Sequence, residues 1–326
     1  MSGVYSLGLA GRDRDKGTQL KISDVLTREE IAQLTRKSDW RGAWLVLCQW
    51  LMVIGIFAAV AVWTNPLTVL LGTILLGGRQ LGFGILDHEC GHRILFRTPR
   101  LNEFAGDWLC APFGFNNIRA YMREHLEHHR QAGTREDPDL ANYRDYPISR
   151  ARLRRKLKRD ITGQTGWRSL KRIGLGIVNL QKLDPEYRGC MIRGLLIHGL
   201  MLAVLLVTGH GWLFLMWIAA RVFVQPLVSR IRQVAEHAAV PDLYDLDPRK
   251  NTRTVYSNPL TRLMFCPHQV NYHLEHHFMA SVPIYHLRRM HQLLLARGFY
   301  EGVEFPRGYV DMLRRVTIAG PEPIAA

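Results

Sequence analysis

"WLVLCQWLMVIGIFAAVAVW", residues Trp44 to Trp63, runs for 20 residues without a charge. At 1.5 Å per residue, a helix of that length crosses the roughly 30 Å of hydrocarbon in a bilayer. Downstream, Pro66–Leu86 is a second apolar stretch, with Arg79 and Gln80 in its last third. A third, Cys190–Ser229, is interrupted at Thr208-Gly-His-Gly211. As one helix it would be roughly 60 Å long, twice a bilayer, so it reads as two spans around a tight turn. The expected fold is an all-α integral membrane protein. Four transmembrane helices, at about 44–63, 66–86, 190–208 and 211–229, form two hairpins beneath a cytoplasmic helical cap.

Charge sets the orientation. The chain has 43 Lys and Arg against 28 Asp and Glu, a net charge of +15. The turns around Thr64-Asn65 and Thr208–Gly211 contain no Lys or Arg, whereas the N-terminal segment and the 119–193 loop are crowded with both. Lys and Arg favour the cytoplasmic side, which puts both termini and the long loop there. The basic excess is thereby explained without nucleic acid, for which no zinc-finger, RNA-recognition or helix-turn-helix signature is present. Residues 1–40 hold no apolar signal-peptide core, so no cleavable signal is expected. Cys48, Cys90, Cys110, Cys190 and Cys266 show no CxxC spacing and read as reduced thiols rather than a disulfide framework.

Three units are expected: a basic leader at 1–43, a membrane domain at 44–295 and a C-terminal tail at 296–326. In the leader, Thr27 and Glu30 have the spacing of a capping box. Phe104–Phe115 is apolar, but about 12 residues are too few to cross, so an interfacial or re-entrant segment is expected. In "SRARLRRKLKRDI" (149–161), Leu153, Leu157 and Ile161 recur at i, i+4 and i+8 among basic residues. That pattern suits a helix lying on an anionic membrane surface; a solvated charged helix is the alternative.

Of fourteen histidines, eight fall in three packets: "DHECGH" (87–92), "REHLEHHR" (123–130) and "NYHLEHH" (271–277). On a helix, i, i+3 and i+4 share a face. His88 and His92 therefore point together, as do His125, His128 and His129, and His273, His276 and His277. Two crossings separate the second packet from the third and none separates the first from the second, so all three land on the cytoplasmic side. Eight imidazoles exceed the four ligands zinc usually takes and suit two ions. Imidazole fits Zn, Cu, Fe and Ni, and spacing alone does not choose among them.

H-x-x-x-H at 88–92 and H-x-x-H-H at 125–129 and 273–277, interleaved with two membrane hairpins, resemble the three histidine boxes of the membrane fatty acid desaturase superfamily. The likeness covers roughly residues 44–295 and is closest in kind to bacterial acyl-lipid desaturases without fused cytochrome b5. It implies two Fe ions, O2 as co-substrate, a lipid acyl substrate and two electrons from a separate donor, a ferredoxin or cytochrome b5. Activity would be desaturation of an acyl chain; a lipid or carotenoid hydroxylase or ketolase of the same superfamily is the alternative. A ninth ligand after the fourth span is also implied, and "RQVAEH" supplies His237. Mammalian acyl-CoA members carry a water-holding Asn one turn earlier, where this chain has Gln233. From another class, a histidine-rich metal transporter would need ligands at the bilayer midplane, and these lie in cytoplasmic segments.

His198, His210, His268, His286 and His291 lack the packet spacing and read as structural. Asp87, Glu89, Glu124, Glu127, Glu236 and Glu275 lie in or beside the packets, where carboxylates orient metal-bound imidazoles. Arg79 and Arg221, inside spans, are expected to face the bundle interior or snorkel.

Overall fold

The computed structural model describes residues 20–319. Residues 1–19 of the expected leader and 320–326 of the expected tail lie outside the described residues. Among those described, regular structure is helical apart from a two-residue parallel pairing of Ile148–Ser149 with Thr317–Ile318.

Helix α1 (Arg28–Leu34) opens on the Thr27–Glu30 box: Glu30 N–H donates to Thr27 Oγ1 at 3.2 Å and Thr27 N–H to Glu30 Oε2 at 2.8 Å. Then come α2 (Asp39–Val62) and α3 (Pro66–Gly91), followed by α4 (Ile118–Gln131), α5 (Arg150–Ile161) and α6 (Gln164–Val178). After α7 (Pro185–Val207) and α8 (Leu213–His237), α9 (His273–Phe278) and α10 (Ile284–Ala296) complete the set used below. Four of these, α2, α3, α7 and α8, are long and apolar enough to cross a membrane. Local chemistry sets their starts. Asn65 accepts from Leu67 and Thr68 N–H ahead of Pro66, and Asp184 caps α7 ahead of Pro185 in the same way. Gly209, at φ +77°, closes the turn between α7 and α8, a conformation only glycine takes freely.

The helices run past the charge-free stretches: α2 starts at Asp39 and α8 continues to His237. The end of α8 packs on protein, with Val234, Ala235, Glu236 and His237 buried, whereas Trp40 and Arg41 in the first turn of α2 are exposed. Leu47, Leu51 and Ile54 of α2 and Leu196, Leu200 and Val204 of α7 stand exposed. On helices of this length such side chains are lipid-facing. By contrast α3 is largely buried. An added Cβ would lie 2.4 Å from Val224 at Gly77 and 2.6 Å from Gln49 at Gly82, so small residues let α8 and α2 approach.

Among the described residues there are three buried apolar clusters, one of them around Val46, Leu86, Leu95 and Phe96 and the other two larger. Val53, Phe57, Leu76, Phe83, Phe113, Leu213 and Trp217 fill the space between spans, with Phe83 and Phe113 stacked at 3.9 Å between ring centroids. The second cluster joins the C-terminal half of α8 (Val228, Ile231, Val234) to Leu274 of α9 and to Ile284, Leu287 and Met290 of α10. Arg79 faces the interior, where it donates to the Leu263 carbonyl and, at 3.3 Å, to Gln49 Oε1. Arg221 donates to the Gly114 carbonyl at 3.1 Å.

Phe104–Phe115 is a broken run of helical turns, ending with Phe115 at φ +52°. Inside it, Asp107 pairs with Arg119 at 3.0 Å and Arg193 at 3.4 Å. Of the apolar stripe on α5, Leu153 is buried and Ile161 is exposed. The basic helix is anchored instead by Asp160, fully buried, which accepts from both Arg230 of α8 and Thr165.

Candidate metal centre

Each histidine packet rides on a helix end. His88 belongs to the last turn of α3, and His92 follows four residues later as its cap. α4 presents His125, His128 and His129; α8 terminates on His237; the short α9 holds His273, His276 and His277. All nine come together. The ligand atoms of His88, His92, His125, His129 and His276 lie within 4.8 Å of one another, and so do those of His128, His237 and His277. His273 completes the second group, its Nε2 lying 2.9 Å from that of His237. One-residue steps divide the helices between the groups: His129 serves the first and His128 the second, as do His276 and His277. The groups are adjacent, with the His129 and His277 rings 4.4 Å apart.

The donor atoms point inward. His125 Nε2 lies 2.7 Å from His88 Nε2, 3.0 Å from His92 Nε2 and 3.0 Å from His129 Nε2. His276 Nε2 lies 3.0 Å from His129 Nε2, and His277 Nε2 is buried with no partner. Two nitrogens bound at about 2.1 Å and at right angles to each other would lie about 3.0 Å apart. The spacing and the unpartnered nitrogen therefore fit metal ligation. Electrostatics agrees: burial pushes the His92 imidazole down to about 4 and His129 to about 3. Burial lowers His125, His273, His276 and His277 too, with neighbouring imidazoles adding to it. Neutral imidazole is the form that binds a metal.

Outer contacts aim these rings. His128 Nδ1 is 2.8 Å from Asp137 Oδ1, and Tyr143 OH donates to the same carboxylate. His237 Nδ1 donates to the Asn251 carbonyl at 3.0 Å. Glu236 lies 3.6 Å from His273 Nδ1 and is held by Arg232 at 2.8 Å. Glu89 lies 3.3 Å from His88 Nδ1 and accepts from Ile284 N–H at 2.8 Å, tying α3 to α10. Glu275 turns away from the cluster and accepts at 2.5 Å each from His291, Tyr300 and Thr254, which pins α9 from behind. Glu127 pairs with Arg130, and Glu124 is exposed. Asp137, Tyr143 and the Asn251 carbonyl were missed by sequence reasoning. Asp137 lies in an irregular segment and the other two end four-residue helices, all too short for periodicity to show, and only an acidic residue nine positions after His128 hinted at the first.

The isolated histidines stay outside the cluster. His198 donates to the Gly194 carbonyl and accepts from Trp217 Nε1 at 3.1 Å. His268 meets Gln49, His286 meets Arg41, and His291 belongs to the Glu275 network. Gln233 is half-buried on α8, one turn before His237.

The family model described as fatty acid desaturase matches residues 64–307. Among curated proteins, a beta-carotene ketolase of Paracoccus sp. (strain N81106 / MBIC 01143) is 25% identical over 68% of this chain and 79% of its own length. A second, from Paracoccus sp. (strain PC1), is 26% identical over 69% of this chain and 80% of its own. A sphingolipid delta(4)-desaturase DES1-like protein of Arabidopsis thaliana is 27% identical over 69% of this chain and 62% of its own.

Proposed function

Because the chain belongs to the fatty acid desaturase family, we propose that it is an O2-dependent membrane oxidoreductase that desaturates the acyl chain of a lipid. The observation that carries this reading is the pair of facing imidazole groups, each rich enough in neutral nitrogen donors to hold one ion. His88, His92, His125, His129 and His276 would hold one iron; His128, His237, His273 and His277 would hold the other. Bound iron would supply O2 activation; overall two hydrogens leave the acyl chain, two protons and two electrons arrive from outside, and O2 departs as two waters. The electrons come from a separate carrier, a ferredoxin or cytochrome b5, and the site and both termini are cytoplasmic, a reading supported by the basic loops.

This chain's own residues do the positioning. Asp137 and the Asn251 carbonyl hold the Nδ1 sides of His128 and His237, leaving Nε2 free for metal. Glu275 locks α9 so that His276 and His277 face opposite groups. Tyr121 stacks on His125 at 5.2 Å and shields it from the adjoining cavity.

The ketolase relatives favour a second reading, insertion of oxygen by a hydroxylase or ketolase. Expression in a desaturase-deficient host, followed by mass spectrometry of total lipids, separates the two. Loss of two hydrogens from an acyl lipid is expected; gain of an oxygen atom would establish the second reading, and unchanged lipids would reject both.

A further inference from the structure

Beside the histidine cluster lies a cavity of about 730 Å³, walled by α3, α4, α6, α7, α8 and the 110–117 loop. Asp87, next in sequence to His88, and Tyr121, stacked on His125, form its inner wall. Its outer wall carries Arg172 of α6 and Arg221 of α8. Among the described residues neither arginine has a carboxylate partner, and the one hydrogen bond found for Arg221 goes to the Gly114 carbonyl. The other charged groups lining the cavity are Asp87, Glu124 and Arg232, the last held by Glu236. Gln80, buried on α3, has an Oε1 without a partner.

The pairing of the arginines follows from α6. Trp167, Leu175 and Val178 of that helix are exposed beside Arg168, Lys171 and Arg172, the composition of a helix lying in the headgroup layer. Gly166 brings it onto α8 so closely that an added Cβ would stand 2.2 Å from the Val222 carbonyl oxygen. Arg221 is next to Val222, so the same close contact sets Arg172 and Arg221 on the walls of one cavity. A guanidinium pair lining one cavity, without carboxylate partners among the described residues, suits a phosphate or carboxylate. A pure hydrocarbon in the same cavity would leave the Arg221 guanidinium facing an apolar ligand with the Gly114 carbonyl as its one partner, which is unfavourable.

Building on the proposed acyl-lipid oxidation, we infer that this cavity binds the anionic headgroup of the substrate on Arg221 and Arg172, with the acyl chain led past Tyr121 toward the histidines. The substrate is then an acidic amphiphile rather than a carotene.

The test measures binding of stearate, stearyl alcohol and inorganic phosphate to the detergent-solubilised, metal-loaded protein, a readout independent of turnover. Wild type should prefer stearate over the alcohol about tenfold, the size of a charge-assisted hydrogen-bond contribution. Arg221→Gln and Arg172→Gln should each erase most of that preference and leave alcohol binding unchanged, while Lys171→Gln keeps it. Equal binding of the two amphiphiles to wild type would overturn the inference. Should Arg221→Gln fail to fold, retention of the preference by Arg172→Gln, on an exposed position, overturns it equally. Phosphate binding as tight as stearate would assign the arginines to a free anion and reject the lipid. A stearate preference without oxidised lipid in the host defeats the oxygenase reading alone; oxidised lipid without the preference defeats only the headgroup site.

Discussion

Imidazole identity and spacing decide what the centre can hold, and a second set of residues decides where each ring points. His128 shows the division: its Nε2 side belongs to the cluster, while Asp137 holds Nδ1 at 2.8 Å. Asp137→Asn keeps the shape but removes the charge that favours one tautomer. We expect metal affinity to fall about 10- to 100-fold, with membrane insertion unchanged, as measured by metal analysis after dialysis against graded chelator. His276→Ala removes a donor outright and should abolish turnover in the lipid assay. His210→Ala is the matched control and should leave both readouts near wild type. His198 would be a poor control, since its loss leaves the buried-side bond from Trp217 Nε1 without an acceptor. The eight boxed histidines were legible because i, i+3, i+4 spacing is local information. Their orienting partners were not, because Asp137, in a loop, and Asn251, ending a four-residue helix, reach the rings through connecting segments whose course depends on the whole fold.

Among the elements, span count was readable and span length was not. Twenty apolar residues mark a crossing, but whether a helix continues afterwards depends on what it packs against. α8 continues to His237 because Val228, Ile231 and Val234 are buried in the second cluster. The basic stripe on α5 was likewise only half readable: its sequence suggested a surface helix, yet Asp160 pins it to Arg230. Contact between α6 and α8 depends on Gly166, where an added methyl would meet Val222 backbone at 2.2 Å. Backbone cannot yield as a flexible side chain can, so Gly166→Ala should destabilise the protein by about 1–3 kcal/mol. A lowered midpoint in thermal unfolding of the detergent-solubilised protein checks this; an unchanged midpoint would mean α6 shifts without loss.

For the whole molecule, topology and chemistry constrain each other: one cluster drawn from α3, α4, α8 and α9 requires the ends of those helices on one side of the bilayer. A labelling tag at Gly209 should report the external face and one at Ser149 the cytoplasm; both tags on the same side would contradict the four-crossing arrangement. On the proposed function, the face that holds the histidine cluster must also receive electrons, and the α5 surface is strongly basic. Small electron carriers are commonly acidic, so complementary charge would raise the encounter rate, an effect that weakens as salt shortens the Debye length to about 3 Å at 1 M. Lys156 is unsuitable for testing this, because its Nζ stands 4.7 Å over the Tyr146 ring and supports the fold. Arg154, Arg155 and Lys158 are exposed. Reversing these three to Glu in detergent without anionic lipid should slow carrier-driven reduction several-fold, while reduction by dithionite, which needs no docking, stays near wild type. Anchoring to anionic lipid is the competing use of the same charges, and it predicts unchanged reduction in that lipid-free assay together with weaker binding of the variant to anionic vesicles.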